Sequence, residues 1–192
     1  MKLVLTFLLS CALTGAVLAD DVESPTAPSH YISGFLGKSM IMLGSEDVRF
    51  GGGLSYAFGR PEKRFQLGQI PAQLVYEGYV DATHSNGANG CSPNSTIAVG
   101  GLAYARWRWP LDRHGNSMFF DLGWGLQLAD EPTVDLSSDL NSTPVLDIGG
   151  IHRAGKLEYL AGLRVLHISN AGTDRPNYGQ NELFLMFGVR YR

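Results

Sequence analysis

Met118 to Leu128 reads MFFDLGWGLQL, and this stretch decides the fold. Phe120, Leu122, Trp124, Leu126 and Leu128 share one parity; Asp121, Gly123, Gly125 and Gln127 share the other. Strict alternation of this kind marks a β-strand whose two faces meet different surroundings. The same pattern recurs on either side. In AQLVYEGYVD, Leu74, Tyr76, Gly78 and Val80 oppose Gln73, Glu77 and Asp81. In IAVGGLAYARWRW, Ile97, Val99, Ala103, Trp107 and Trp109 oppose Tyr104, Arg106 and Arg108. Glycine makes up 24 of 192 residues and is spread through the apolar segments, against an average of about 7%. Glycine weakens helices and permits tight bends in strands, so the composition supports an all-β chain.

Eight extended segments follow, at about 31–43, 48–59, 65–82, 96–109, 117–128, 143–151, 157–169 and 181–191. The first and sixth alternate poorly. The opening residues MKLVLTFLLSCALTGAVLAD pair a basic start with a short apolar run and small residues before Asp20, the form of a secretory signal. The expected organisation is a signal peptide over 1–19, an N-terminal periplasmic segment over 20–30 and a β domain over 31–192. After cleavage one cysteine, Cys91, remains, so an intramolecular disulfide is excluded. The net charge of −3 and the lack of a basic block give no reason to expect nucleic acid. No apolar stretch after residue 20 is long enough for a transmembrane helix.

A soluble sandwich also alternates. Export, large continuous apolar faces and aromatic residues near segment ends favour a membrane barrel instead. With strand one running outward, the turns at 59–64, 112–116 and 152–156 are periplasmic and short, while the loops near 83–95, 129–142 and 170–180 are external and longer. That asymmetry is the one expected of outer-membrane barrels, and LGSED at 43–47 is its one exception. Segments of about 9–13 residues suit a tilted crossing. The expected fold class is therefore all-β: an eight-stranded antiparallel transmembrane β-barrel in the outer membrane of a Gram-negative bacterium, its interior filled by side chains. Arg106, Arg108, Arg164 and Arg190 fall on the interior parity with Glu77, Asp81, Asp121, Glu158 and Glu182, as a paired network. Acidic 130–139 reads as a mobile outer loop.

The seventh segment carries the chemistry. Its odd positions run Leu157, Tyr159, Ala161, Leu163, Val165, His167 and Ser169, and its even positions include Glu158 and Arg164. A charge facing lipid costs about 2–4 kcal/mol at midplane, so the even face is the interior and His167 and Ser169 point outward. A neutral imidazole can take a serine proton and so activate the hydroxyl toward an ester. The Asn170-Ala171-Gly172 turn that follows offers donors for an oxyanion. Spacing alone fits two polar residues capping a strand better than it fits a reactive pair. His84 and Cys91 form a poor metal-ligand set, and an exposed polar loop is the expectation there.

The longer string HISNAG…PNYGQN, within 166–192, resembles the closing motif of the lipid A 3-O-deacylase (PagL-type) family of small outer-membrane barrels. The resemblance implies a serine ester hydrolase acting on lipid A, with Ser169 as nucleophile, His167 as general base and an oxyanion site at Asn170 and Gly172. It implies no metal and no organic cofactor. Its partners are lipid A, or lipopolysaccharide, and outer-membrane lipid; a homodimer is compatible with it. The family pattern places a glutamate two residues after the turn glycine to orient the histidine. Here that position after Gly179 is Asn181, and Glu182 comes one residue later. Parity gives Asn181 as the orienter, with Glu182 as the alternative if a bulge shifts the register. An amide accepts from an imidazole N–H but does not stabilise an imidazolium by charge. In a serine triad the acid-to-amide change cost about 10⁴ in turnover. A non-enzymatic barrel, an adhesin or structural surface protein, is the rival reading.

Overall fold

The computed structural model describes residues 29–42, 44–87 and 92–191. The expected signal peptide, most of the N-terminal segment and Cys91 lie outside the described residues. Among the described residues nine strands form: β1 Ser29–Ser39, β2 Arg49–Leu67, β3 Ile70–Ser85, β4 Asn94–Pro110, β5 Ser117–Ala129, β6 Leu140–Ser142, β7 Val145–Ala154, β8 Leu157–Ile168 and β9 Gln180–Tyr191. Each pairs antiparallel with its neighbours, in the order β4-β3-β2-β1-β9-β8-β7-β5, and a β4–β5 ladder closes the ring. Short β6 is not a further stave. It pairs with β5 in the register that β7 continues, Leu126↔Ser142 leading to Gly123↔Val145. Pro144 stands between them and has no N–H to donate, so the ladder breaks there while the register holds. The result is a closed eight-stranded barrel.

Three boundaries differ from the sequence reading. β1 starts at Ser29, two residues early, because Ser29 is buried at the end of the sheet and Gln73 Nε2 donates to its hydroxyl. The turn expected at 59–64 lies instead at Gly68 and Gln69. A tight hairpin needs positive φ, and Gly68 supplies it at +64°. Pro61 stays in the strand, opposite Gln73, past the last β1 pair among the described residues, Ser29↔Gly59, and proline is tolerated on a strand edge. The sixth stave begins at Leu140 rather than 143.

The faces follow the period of two. Outside, Ile32, Leu54, Ile97, Leu122, Trp124, Leu126, Leu163, Leu185 and Phe187 are exposed, Leu54 to 65%. So broad an apolar belt is unstable in water, and a closed barrel that satisfies its own backbone is one of two architectures that can sit in hydrocarbon. Inside, Arg106 is bidentate to Asp121 at 2.8 and 2.6 Å. Arg164 joins Glu77 at 2.6 Å and Asp147 at 2.8 Å. Glu158 takes Arg190 at 3.1 Å and Arg108 at 3.4 Å. The expected pairs thus form for Glu77, Asp121 and Glu158, with Asp147 as a further member, whereas Asp81 and Glu182 are buried in the interior without an ion pair to an arginine among the described residues.

One rim carries the tight turns at 68–69, 111–116 and 155–156. The other carries the loops that hold the candidate site. Loop 130–139 is not free there. Its buried Asp135 carboxylate accepts from Ser45 Oγ at 2.8 Å, Glu46 N at 3.0 Å and Asp47 N at 3.1 Å. The Asp135 carbonyl takes Tyr178 N at 3.0 Å. One aspartate therefore joins three loops, because a carboxylate can satisfy several backbone donors at once.

Candidate active site

His167 and Ser169 emerge half-buried on the outward face, at the loop-bearing end of β8. Strand register fixes their neighbours. On one side Asn181 of β9 lies opposite His167. On the other, Ser142 of β6 lies opposite Ser169. The Pro144 carbonyl accepts from His167 N at 3.0 Å.

The histidine is oriented through a chain of three groups. The Met42 carbonyl accepts from Asn181 Nδ2 at 2.9 Å. A carbonyl only accepts, so the amide nitrogen must face Met42 and the amide oxygen must face the ring. Asn181 Oδ1 sits 2.8 Å from His167 Nδ1. An amide oxygen also only accepts, so Nδ1 carries a proton, and in the neutral ring Nε2 keeps its lone pair. That is the tautomer a general base requires. Of the two candidates, Asn181 is the one that faces the ring. Glu182 turns into the barrel, almost fully buried, where Gln180 donates to it.

Gly179 completes the ring's surroundings. Its φ of +73° favours glycine. A Cβ there would lie 2.8 Å from His167 Cε1, so the imidazole occupies the space a side chain would fill.

Ser169 has a different partner from the one expected. Its Oγ lies 3.2 Å from Ser142 Oγ, and no hydrogen bond joins it to His167 among the described residues. Two residues along a strand are about 6.6 Å apart, and catalytic hydrogen bonds commonly tighten only when substrate binds. The turn after Ser169 is braced by its own residues. Asn170 Oδ1 accepts from Gly172 N at 2.9 Å, and Asn170 Nδ2 donates to Asp174 O at 3.0 Å and Ser137 Oγ at 3.2 Å. Asn177 Oδ1 takes Asn170 N at 3.0 Å. Asn170 and Gly172 are thus brought together, with these donors engaged inside the loop.

Ser142 and Met42 were not singled out in the sequence, and Gly179 was read there only as the turn glycine. Ser142 sits where alternation is interrupted by Pro144, and Met42 acts through its backbone, which carries no residue signature. Among the described residues, no cluster of His, Cys, Asp and Glu is arranged to hold a metal ion. His84 instead bonds Ser95 Oγ at 2.9 Å and Asn86 Oδ1 at 3.2 Å.

The family model described as lipid A 3-O-deacylase (PagL) matches residues 50–190. Among solved structures, the outer membrane enzyme PagL is similar at 20% identity over 82% of this chain and 97% of that one, with a TM-score of 0.59. Neisserial surface protein A (NspA) is similar at 15% identity over 85% of this chain and 96% of that one, with a TM-score of 0.53. No curated protein matches the chain.

Proposed function

This chain belongs to the lipid A 3-O-deacylase (PagL) family, and from that premise we propose that it is an outer-membrane esterase removing the 3-O-linked acyl chain of lipid A. Ser169 is the nucleophile, His167 the general base and Asn181 the group that orients it. The observation that carries this reading is the Met42–Asn181–His167 chain at 2.9 and 2.8 Å, which leaves Nε2 free on the lipid-facing side.

His167 Nε2 takes the Ser169 proton as Oγ bonds to the ester carbonyl carbon. The tetrahedral adduct collapses, the bond from carbon to the sugar oxygen breaks, and the imidazolium returns its proton to that oxygen. Water then attacks the acyl-serine with His167 again as base, releasing the fatty acid and restoring Ser169. Gly172 N serves the oxyanion once its bond to Asn170 Oδ1 opens, and Asn170 Nδ2 once it leaves Asp174 O or Ser137 Oγ. An outward site suits this substrate: lipid A diffuses in the plane of the membrane and reaches the pair without entering the filled lumen. The amide at 181 lacks the charge that would steady the imidazolium, so slower turnover than a carboxylate would allow is expected.

Mass spectrometry of lipid A from cells making wild type or Ser169→Ala tests the proposal. Wild type should yield lipid A one acyl chain lighter, and the variant, folded and inserted, should leave it intact. An identical acylation pattern in both would favour the structural-barrel reading instead.

A further inference from the structure

Ser142 lies across the sheet from Ser169, and the two residues exchange both backbone hydrogen bonds, at 2.7 and 3.1 Å. Such a pair is locked face to face, so both hydroxyls project from the same outward surface. They meet at 3.2 Å. We propose that Ser142 is a catalytic residue: its hydroxyl donates a hydrogen bond to the ester carbonyl oxygen as Ser169 attacks. The inference rests on the reading of Ser169 as nucleophile.

Three observations support it. The side chain of Asn170 and the N–H of Gly172 are engaged within their loop, whereas among the described residues the Ser142 hydroxyl has only Ser169 as a side-chain partner. The carbonyl oxygen of the adduct lies one bond angle from the attacking Oγ. A hydroxyl already 3.2 Å from that Oγ can come to the distance oxyanion donors require by rotating about its Cα–Cβ bond. Ser142 also approaches from the neighbouring strand, while His167 lies along the same strand as Ser169. The base and leaving-group side thus stays separate from the oxyanion side. In the resting enzyme the two hydroxyls hydrogen-bond each other. When the Ser169 proton passes to His167, the Ser142 hydrogen turns to the new anion. Ser142 keeps its proton throughout, so no bond to it forms or breaks.

The whole barrel, refolded into detergent–lipid A mixed micelles, is assayed for fatty-acid release as wild type, Ser142→Ala, Ser142→Thr and Ser169→Ala. Heat-modifiable gel mobility reports folding. Removing one oxyanion donor costs about 10²-fold or more in turnover. Ser142→Ala should lose about that much in kcat with KM unchanged, and Ser142→Thr, which keeps the hydroxyl, should stay within about tenfold of wild type. Wild-type kcat in Ser142→Ala, a loss confined to KM, or a threonine variant as slow as alanine would each overturn the proposal. Should the alanine variant not fold, Ser142→Cys decides: its weaker donor should give an intermediate rate, and a wild-type rate would count against the hydroxyl. Full activity in Ser169→Ala would instead remove the underlying nucleophile assignment, which keeps the two failures distinct.

Discussion

Replacing Gly179 by alanine should slow the enzyme while leaving the barrel standing. The added Cβ would sit 2.8 Å from His167 Cε1 and 3.4 Å from Nε2, where ordinary contact begins at 3.4 Å. Either the ring or the turn must therefore give way by about 0.6 Å. Asn181 holds the ring at Nδ1 by a 2.8 Å bond, so the ring pivots about that bond and displaces Nε2, which the proposed mechanism needs within reach of Ser169. A misplacement of about 1 Å can cost 10²-fold in rate, which puts the loss in kcat here at roughly 10- to 100-fold. The backbone cost is separate. Alanine at positive φ is strained by about 1–2 kcal/mol, yet Ala171 adopts a φ of 55° in the same loop, so folding should survive. Fatty-acid release from lipid A in mixed micelles gives kcat and KM, and heat-modifiable mobility gives the folded fraction. The expected result is a lower kcat with nearly unchanged KM in a fully folded barrel. Wild-type kcat in folded Gly179→Ala would refute the claim that this glycine makes room for the catalytic ring.

The Asn181 and Glu182 assignments separate cleanly. Asn181→Ala leaves His167 Nδ1 without its partner and should lose about 10²-fold, the low end of what an oriented base contributes, whereas Glu182→Gln changes a side chain turned into the barrel and should leave turnover as it was. Equal losses in both, read by the same fatty-acid assay, would contradict the register. Arg164→Met strips the partner from two buried carboxylates, Glu77 and Asp147. Removing one member of a buried pair costs about 3–5 kcal/mol, so urea unfolding in lipid vesicles should show a loss of that size, and a change below about 1 kcal/mol would show that the interior network does not hold the barrel.

Much of this was visible in the chain. Alternation in Phe120–Leu128 separated lipid face from lumen face, and Arg164 and Glu158 on the even positions of β8 turned His167 and Ser169 outward, as observed. The same logic chose Asn181 over Glu182, because no bulge intervenes between His167↔Asn181 and the rest of the β8–β9 ladder. The reading failed where a local signal competed with pairing. Pro61 and its charged neighbours looked like a turn, yet the hairpin ran on to the glycine that could close it. Loop 130–139 looked like free acidic chain, yet Asp135 ties it to two other loops. Ser45 lies ninety positions upstream of Asp135 and Tyr178 lies in a different loop downstream, both beyond the reach of any local pattern.

Parity is a local property. It depends only on the pleat, so each strand announces which side chains look out and which look in. Pairing register is not local. Sliding one strand by two residues would preserve every apolar and polar face, yet it would take Ser142 away from Ser169 and Asn181 away from His167. The closed hydrogen-bond ladder alone selects among those shifts. The linear chain therefore specified a barrel with a serine and a histidine on its outer face, and the assembled sheet settled which hydroxyl, which amide and which carbonyl stand beside them.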